Sequence, residues 1–409
     1  MSNSSGPVVA VVAGTPQLTG AARSLGVRTV FVHAPDGPRP KAAAAADHVV
    51  AVDLEDTGAV HDALAPFHAR HPLARVLSLT EQGLLPAAAA AQALGVPGNS
   101  LHTVRLLQDK RRMRELLDAQ GLSPVRSRSL TSPADLAAFC REVGGSVILK
   151  PAAGTASRAV TRVDGPGEAD AAWGRFVRAG GTDALTEEFL DGPEISVEGF
   201  THQGRHSIVA LTDKQVLPSL VETGHTMPST LPPSELHEAA ELTVAFLDAV
   251  GLREGPSHTE VKLTGRGPRI VESHNRIGGD KIRELVHRTY GIDLVALTVG
   301  CPLGLLPAPA DRPLAAGGAA IRFLTPAPGR VRHIRTPDTD GRTAVIELDV
   351  GVGDVIAPVR QSPDRAGYVL ANGTDAADAA RRCEHLARQV LIDVDTGTTG
   401  LPPTRQVKG

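Results

Sequence analysis

The run His258-Thr259-Glu260-Val261-Lys262-Leu263-Thr264-Gly265-Arg266-Gly267-Pro268-Arg269-Ile270-Val271-Glu272-Ser273-His274-Asn275 constrains the fold of this chain more than any other stretch. Two alternating segments flank a Gly-Arg-Gly-Pro turn, which is the pattern of a β-hairpin. Pairing symmetric about Arg266 sets Glu260 opposite Glu272 on one face. Side chains so placed stand about 4.5–5.5 Å apart at Cβ, and like charges there repel. Magnesium is the natural species to offset that repulsion, because it takes carboxylate oxygens together with substrate phosphates. Asn275, at the end of the second strand, offers a carbonyl oxygen as a third donor. The opposing reading is a solvated hairpin with both carboxylates in water. A slip of one residue in register decides between the two.

Directly after the hairpin come Arg276-Ile277-Gly278-Gly279-Asp280 and a helix that Asp280 can cap and Gly291 ends. A guanidinium followed by exposed glycine amides at a helix start suits an anion or a developing oxyanion. A second phosphate-handling candidate is Ile148-Leu149-Lys150-Pro151-Ala152-Ala153-Gly154-Thr155-Ala156-Ser157. It is no P-loop; it is a strand ending in lysine, then a loop of small residues whose amides and hydroxyls can close over phosphates. Only seven of the 42 basic residues are lysine. A chain that drifts to arginine wherever either residue serves keeps lysine where a compact ammonium is wanted. That draws attention to Lys110 and Lys150, against the plainer reading of each as an incidental surface lysine.

The first hundred or so residues alternate strands (Val8 to Ala13, Arg28 to His33, Val49 to Val52, Arg75 to Leu79) with Ala-rich helices, the pattern of a parallel α/β unit. No dinucleotide fingerprint follows the first strand. Ligands of such units sit beyond the strand carboxyl ends, which puts Gly14, Thr15 and Thr80-Glu81-Gln82 near any site. One helix is expected from Thr103 to Gln120, stopped by Gly121. A helix opened by Ser132-Pro133 leads to the strand Ser146 to Lys150, and further strands run from Arg158 to Val163, Ala184 to Leu190 and Ile195 to Phe200. Another helix covers Ser234 to Val250. Cys301 to Pro313 reads as a Pro-rich linker, and the last ~100 residues as short strands with one final helix near Thr374 to Val390.

Composition removes several function classes. The 409 residues, 42% hydrophobic, are enough for two to four packed units. A net charge of −3 and 3% aromatics leave neither a polyelectrolyte footprint nor stacking platforms, so no nucleic-acid partner is expected. No apolar run is long enough to span a bilayer, and the first residues lack the features of a signal peptide. Cys140, Cys301 and Cys383 show no metal-ligand spacing, and reduced thiols in a cytoplasmic protein are the expectation.

Four segments, taken in order, resemble the motifs of the ATP-grasp superfamily, in particular its branch related to biotin carboxylase and the L-amino acid ligases. They are Gln108-Asp109-Lys110-Arg111-Arg112-Met113-Arg114, Val147-Ile148-Leu149-Lys150-Pro151, Glu187-Glu188-Phe189-Leu190-Asp191-Gly192-Pro193-Glu194 and Glu272-Ser273-His274-Asn275-Arg276-Ile277-Gly278-Gly279. Ala320-Ile321-Arg322-Phe323-Leu324 and Arg365-Ala366-Gly367-Tyr368-Val369 look like parts of the small C-terminal barrel of that branch.

The resemblance implies an α/β (α+β ATP-grasp) fold with three parts: an N-terminal Rossmann-like parallel α/β domain over 1–102, an ATP-grasp domain over 103–300 with its lid at about 123–186, and a small β-rich C-terminal domain over 301–409. It implies ATP and magnesium as cofactors, with manganese as an alternative ion. Lys110 and Lys150 become the lysines on the ATP phosphates, and the lid loop runs from Gly154 to Ser157. Glu187, Glu188, Phe189 and Leu190 become the adenine hinge, and Glu194 the ribose-binding acid. Glu260, Glu272 and Asn275 match metal ligands. Arg276, with Gly278 and Gly279, steadies the transferring group, so Arg276 and Lys150 carry the catalytic expectation. Glu81, His225 and Arg322 are expected at the substrate pocket. The family often has Asn-Pro-Arg where this chain has His274-Asn275-Arg276, which leaves His274 without a role. The implied reaction joins a small-molecule carboxylate to an amine through an acyl phosphate, between amino acids or similar metabolites. Bicarbonate activation and a silent ATP-binding sensor are the alternatives, and a homodimer is the default assembly.

Overall fold

The computed structural model describes residues 6–36, 40–154 and 158–396. It divides into two compact units, one formed by Met1–Val125, Asp191–Leu211 and Pro232–Leu314, the other by Arg126–Leu190, Thr212–Leu231 and Ala315–Gly409. The strand Arg205–Val216 carries the chain from one into the other.

The first unit opens with a four-stranded parallel sheet in the order His48–Ala51, Arg28–His33, Val8–Val12, Leu73–Leu77. All five residues of Val8–Val12 are buried, as expected for an inner strand with both faces covered. Val8, Ala10 and Val12 pack with Val60, Leu64 and Ala90 in one apolar cluster, while Val9 and Val11 join Leu18, Ala22, Val295 and Val299 in another. The helix Glu81–Ala93 starts beyond the end of Leu73–Leu77, so Glu81 stands at the carboxyl edge of this sheet.

The same unit holds the antiparallel strands Glu194–His202, Glu254–Thr264 and Gly267–His274, with the helix Pro233–Ala249 beside them. Thr259, Val261, Leu263 and Ile270 are buried, whereas Glu260, Lys262 and Glu272 are half-buried. The helix expected from Thr103 to Gln120 is two helices, Leu101–Gln108 and Lys110–Ala119. Asp109 takes extended backbone and its carboxylate accepts the amides of Arg111 and Arg112, an N-cap that makes Lys110 the first helical residue. Asp280 does not cap the next helix. Asp280 and Lys281 both adopt left-handed backbone, and Ile282–Tyr290 starts without a side-chain cap.

In the second unit, Ser127–Ser129, Ala184–Glu188, Val147–Pro151 and Thr161–Val163 form an antiparallel sheet in that order. Leu136, Phe139, Ala172 and Phe176 of two helices pack with Val147 and Leu149. The strands Ala184–Glu188 and Glu194–His202, on either side of the Asp191–Glu194 turn, belong to different sheets. Further on, Glu222–Met227, Gly318–Phe323, Gly367–Gly373 and Ala344–Leu348 pair in sequence of space. Gly329–Arg335 pairs with Val355–Ile356 and Leu391–Asp395, and the helix Ala376–Gln389 contributes Ala379 and Cys383 to the core there. Among the described residues no helix is long and apolar enough to cross a membrane.

Candidate active site

Glu260 and Glu272 are opposed across the hairpin, and the route by which they get there is informative. From the turn outward the pairs are Thr264↔Gly267, Leu263↔Pro268, Lys262↔Arg269 and Val261↔Ile270, so the loop is Gly265-Arg266 rather than centred on Arg266. Continued regularly, that register would set Glu272 opposite Thr259, on the buried face. A bulge at Val271 inserts one residue, and the pairs become Glu260↔Glu272, Thr259↔Ser273 and His258↔His274. Glu272 thereby joins Glu260, and Ser273 meets Thr259 with their hydroxyls 2.8 Å apart.

Around the two carboxylates the first unit gathers a chain of alternating charge. Lys110 Nζ lies 2.9 Å from Glu272 Oε2, and His274 Nε2 lies 3.2 Å from Glu272 Oε1. The other ring nitrogen of His274 is 3.5 Å from Glu81 Oε2, and Arg276 Nε donates to that same oxygen at 2.7 Å. Burial works against the ionised form of Glu272, but Lys110 and His274 hold its pKa well below the usual carboxylate range. Burial likewise opposes ionisation of Glu81, yet His274 and Arg276 bring it down to about 2. His274 is raised despite its burial, because Glu272 and Glu81 flank it.

A second histidine sits on the same face. His258 Nδ1 lies 2.9 and 3.0 Å from the two oxygens of the fully buried Glu198, its cross-strand partner. Its Nε2 is 3.5 Å from Glu260 Oε1. Burial disfavours the charged ring, but Glu198 and Glu260 outweigh it and raise His258 to about 10. The ring also explains a glycine: a Cβ on Gly278 would lie 2.6 Å from His258 Nδ1. The loop after Arg276 therefore closes directly onto the imidazole. Gly279 accepts the Ile282 amide through its carbonyl.

The remaining expected residues fall as follows. Asn275 lines a cavity with Arg75, Ser78, Asn99 and Pro256, which neither Glu260 nor Glu272 lines, and its buried Oδ1 has no hydrogen-bond partner among the described residues. The side chain beside Glu272 is that of His274. Glu194 pairs with Lys262 at 3.2 Å. In the second unit, Lys150 Nζ lies 2.7 Å from Glu187 Oε2, both buried on adjacent strands. Glu188 accepts from the Arg126 guanidinium at 3.1 Å. Phe189 carries the Arg162 guanidinium 4.1 Å from its ring centre, and Leu190 is buried. Gly154 has φ of 124°, which favours glycine, and Ser157 lies outside the described residues. His225 is buried with its ring edge-on to Phe323, and Arg322 donates to the His225 carbonyl and to Glu384.

Three family models match the chain: the ATP-grasp N-terminal domain over residues 19–98, the ATP-grasp domain over 143–284 and the L-amino acid ligase C-terminal domain 2 over 322–395. A D-alanine–D-alanine ligase of Cupriavidus metallidurans is 30% identical over 229 residues, 52% of this chain and 67% of that one. The chain belongs to the ATP-grasp family. An alanine–anticapsin ligase of Bacillus subtilis is 26% identical to this ATP-grasp chain over 238 residues. That match covers 52% of the chain, which spans about half (50%) of the relative's length. The crystal structure of an L-amino acid ligase from Bacillus licheniformis superposes with a TM-score of 0.78 at 22% identity, covering 96% of this chain and 99% of that one. This last likeness is one of fold.

The donor set suits the magnesium of this ATP-grasp family. Among the described residues no three His, Cys, Asp or Glu side chains stand ready as a metal cage. Two opposed carboxylates are nonetheless what magnesium uses when substrate phosphates and water complete its shell. Glu260 and Glu272 are the residues that would hold it.

Sequence reasoning missed His258, Glu198 and the bond between Glu81 and Arg276. The first two were legible in principle, as polar residues at alternate positions of their strands, although both are buried. The third joins residues 195 positions apart and has no local signal.

Proposed function

We propose that this protein is an ADP-forming ligase that joins a carboxylate to an amine through an acyl phosphate, with amino acids or similar metabolites as substrates. The observation that carries the reading is the bulged hairpin, which opposes Glu260 and Glu272 and sets them beside Lys110 and, through His274 and Glu81, Arg276. In this reading bound magnesium supplies charge neutralisation at the nucleotide phosphates. Lys110 and Lys150 bind phosphate oxygens. The substrate carboxylate attacks the γ-phosphorus, the bond to the β-phosphate oxygen breaks, and ADP leaves. The amine then attacks the acyl carbon, loses its proton, and phosphate departs. Arg276 and the amides of Gly278 and Gly279 stabilise the oxyanion of that second step.

Further roles belong to the same proposal. Glu187, Glu188, Phe189 and Leu190 serve the adenine, Glu194 the ribose, and Glu81, His225 and Arg322 the substrates. Asn275 is kept as an oxygen donor near the metal, with His274 as the nearer group. Domain boundaries at 102/103 and 300/301, a lid at about 123–186, cytoplasmic residence and a homodimer complete the reading; light scattering on the purified protein tests the last.

The deciding experiment is a screen of amino-acid pairs for ADP release, with mass spectrometry of the product. An amide whose mass equals both substrates less water supports the reading. Bicarbonate-dependent ADP release without any amino acid replaces it with carboxylase chemistry, and ATP binding without ADP formation across the panel replaces it with a sensor.

A further inference from the structure

Among the described residues Arg114 is the largest fully buried side chain, at 2% exposure. A guanidinium is costly to bury unless its donors are met by well-placed acceptors. Here they meet the hairpin at its irregularity. Nη1 donates to the Ile270 carbonyl at 2.6 Å and Nη2 to the Val271 carbonyl at 3.0 Å. On the other side, Ser123 Oγ accepts the Ile270 amide at 2.7 Å, from a residue held in left-handed backbone. On this edge strand, the Ile270 amide and the Ile270 and Val271 carbonyls are thus taken up by two side chains from outside the sheet.

The bulge has a chemical consequence because side chains alternate with a period of two. With Val271 as the extra residue, Ile270 stays in the core and Glu272 turns to the face of Glu260. Without it, Glu272 would oppose the buried Thr259. A carboxylate would then enter the core, and Glu260 would lose its companion.

We propose that Arg114 is a positioning residue for nucleotide–metal binding: its fork holds the Ile270–Val271 bulge and so fixes the register that brings Glu272 opposite Glu260. It acts through the backbone carbonyls of Ile270 and Val271. The planar fork matters, since two carbonyls at fixed separation match the guanidinium and not an ammonium. This inference rests on the reading of Glu260 and Glu272 as metal carboxylates.

The test compares the full-length wild type with Arg114→Lys, Arg114→Met, Ser123→Ala and Glu272→Gln. Free Mn2+ is followed by electron paramagnetic resonance in the presence of ADP, and ADP formation is measured against Mn2+ concentration. Circular dichroism and urea unfolding report on the fold. For folded Arg114 variants, the expected result is Mn2+ affinity weakened about 10- to 100-fold, the range for groups that orient metal ligands. Saturating Mn2+ should recover much of their rate, while Glu272→Gln recovers little. Ser123→Ala, which removes one bond to the bulge, should show the same effect several-fold smaller. It carries the test if neither Arg114 variant folds. Folded Arg114 and Ser123 variants with wild-type Mn2+ affinity and wild-type metal dependence overturn the proposal, even if their unfolding midpoints fall. If the wild type does not bind Mn2+ with ADP, or if Glu272→Gln binds it as tightly as the wild type, the underlying reading of the metal carboxylates has failed instead.

Discussion

Two lysine–glutamate pairs, one in each unit, invite comparison. Lys150 and Glu187 lie 2.7 Å apart with side chains 6% and 5% exposed, on adjacent strands of one small sheet. Lys110 and Glu272 lie 2.9 Å apart with side chains 11% and 20% exposed, and Glu272 is also shared with His274 and set opposite Glu260. Lys214 and Lys262 are likewise paired to glutamates, Glu222 and Glu194, so at least four lysines among the described residues end this way. A buried ion pair is weak evidence for stability, since an apolar pair of similar size often serves as well. The pairs therefore keep charge where the fold alone does not demand it. They differ in wiring: Lys150–Glu187 is a tight pair between deeply buried groups, and Lys110–Glu272 is one link in a chain that runs on to Arg276.

The largest effect expected is on catalysis. Glu272→Ala and Lys150→Ala should each lower substrate-dependent ADP release by at least ~100-fold, the scale on which groups that stabilise transferred charge act. Full turnover by either purified variant would break the assignment of its own pair to the site. Stability should then separate them. Lys150→Met removes an ion-pair partner from the buried Glu187 and should cost up to roughly 3–5 kcal/mol in urea unfolding. Lys150→Met combined with Glu187→Leu should recover most of that loss while activity stays absent. A double variant no more stable than the single one would mean that Lys150 supports the fold through other contacts.

Next in size is a pH effect confined to the first unit. With its folded pKa raised to about 10 from 6.5, His258 contributes stability that is fully present below pH 6.5 and lost as pH rises through about 10. Chelator-treated wild type should lose at most roughly 1.4 kcal/mol per pH unit across that window from this group. Glu198 and Glu260 supply the raising interactions, so His258→Asn should show a flatter profile. Parallel profiles for wild type and variant would remove His258 from the charge chain.

Much of the architecture was legible because it is periodic. The buried strand Val8–Val12 and the hairpin itself follow from apolar runs and alternation. The hairpin also shows where such reading stops. Its outcome, Glu260 opposite Glu272, was inferred from symmetry about Arg266, yet the structure reaches it with a different turn and a compensating bulge. Nothing local marks Val271 as the extra residue; the side chain that bonds its carbonyl, Arg114, is 157 positions away. Asp109 is the converse case. Its capping signal was present in Asp-Lys-Arg-Arg, but the apolar spacing on either side hid the break. His274 falls between, since alternation puts it on the face of Glu272 while only the fold supplies Glu81.

The smallest stability effect expected is for Lys110→Met, and its sign under added metal is the sharpest way to separate the two pairs. Removing the Lys110 ammonium leaves Glu272 with His274 at 3.2 Å but also leaves it facing Glu260 across the hairpin. The remaining partner limits the loss to roughly 1–2 kcal/mol, below that of a fully stranded charge. Two carboxylates without their ammonium form a better cation site than before. Millimolar Mg2+ or Mn2+ should therefore raise the unfolding midpoint of Lys110→Met by more than that of wild type, through preferential binding to the folded state. Lys150→Met should respond less, because no second carboxylate stands opposite Glu187 in its strand pairs as Glu260 stands opposite Glu272. Equal responses to metal in both variants would show that the hairpin carboxylates are not what distinguishes the two regions.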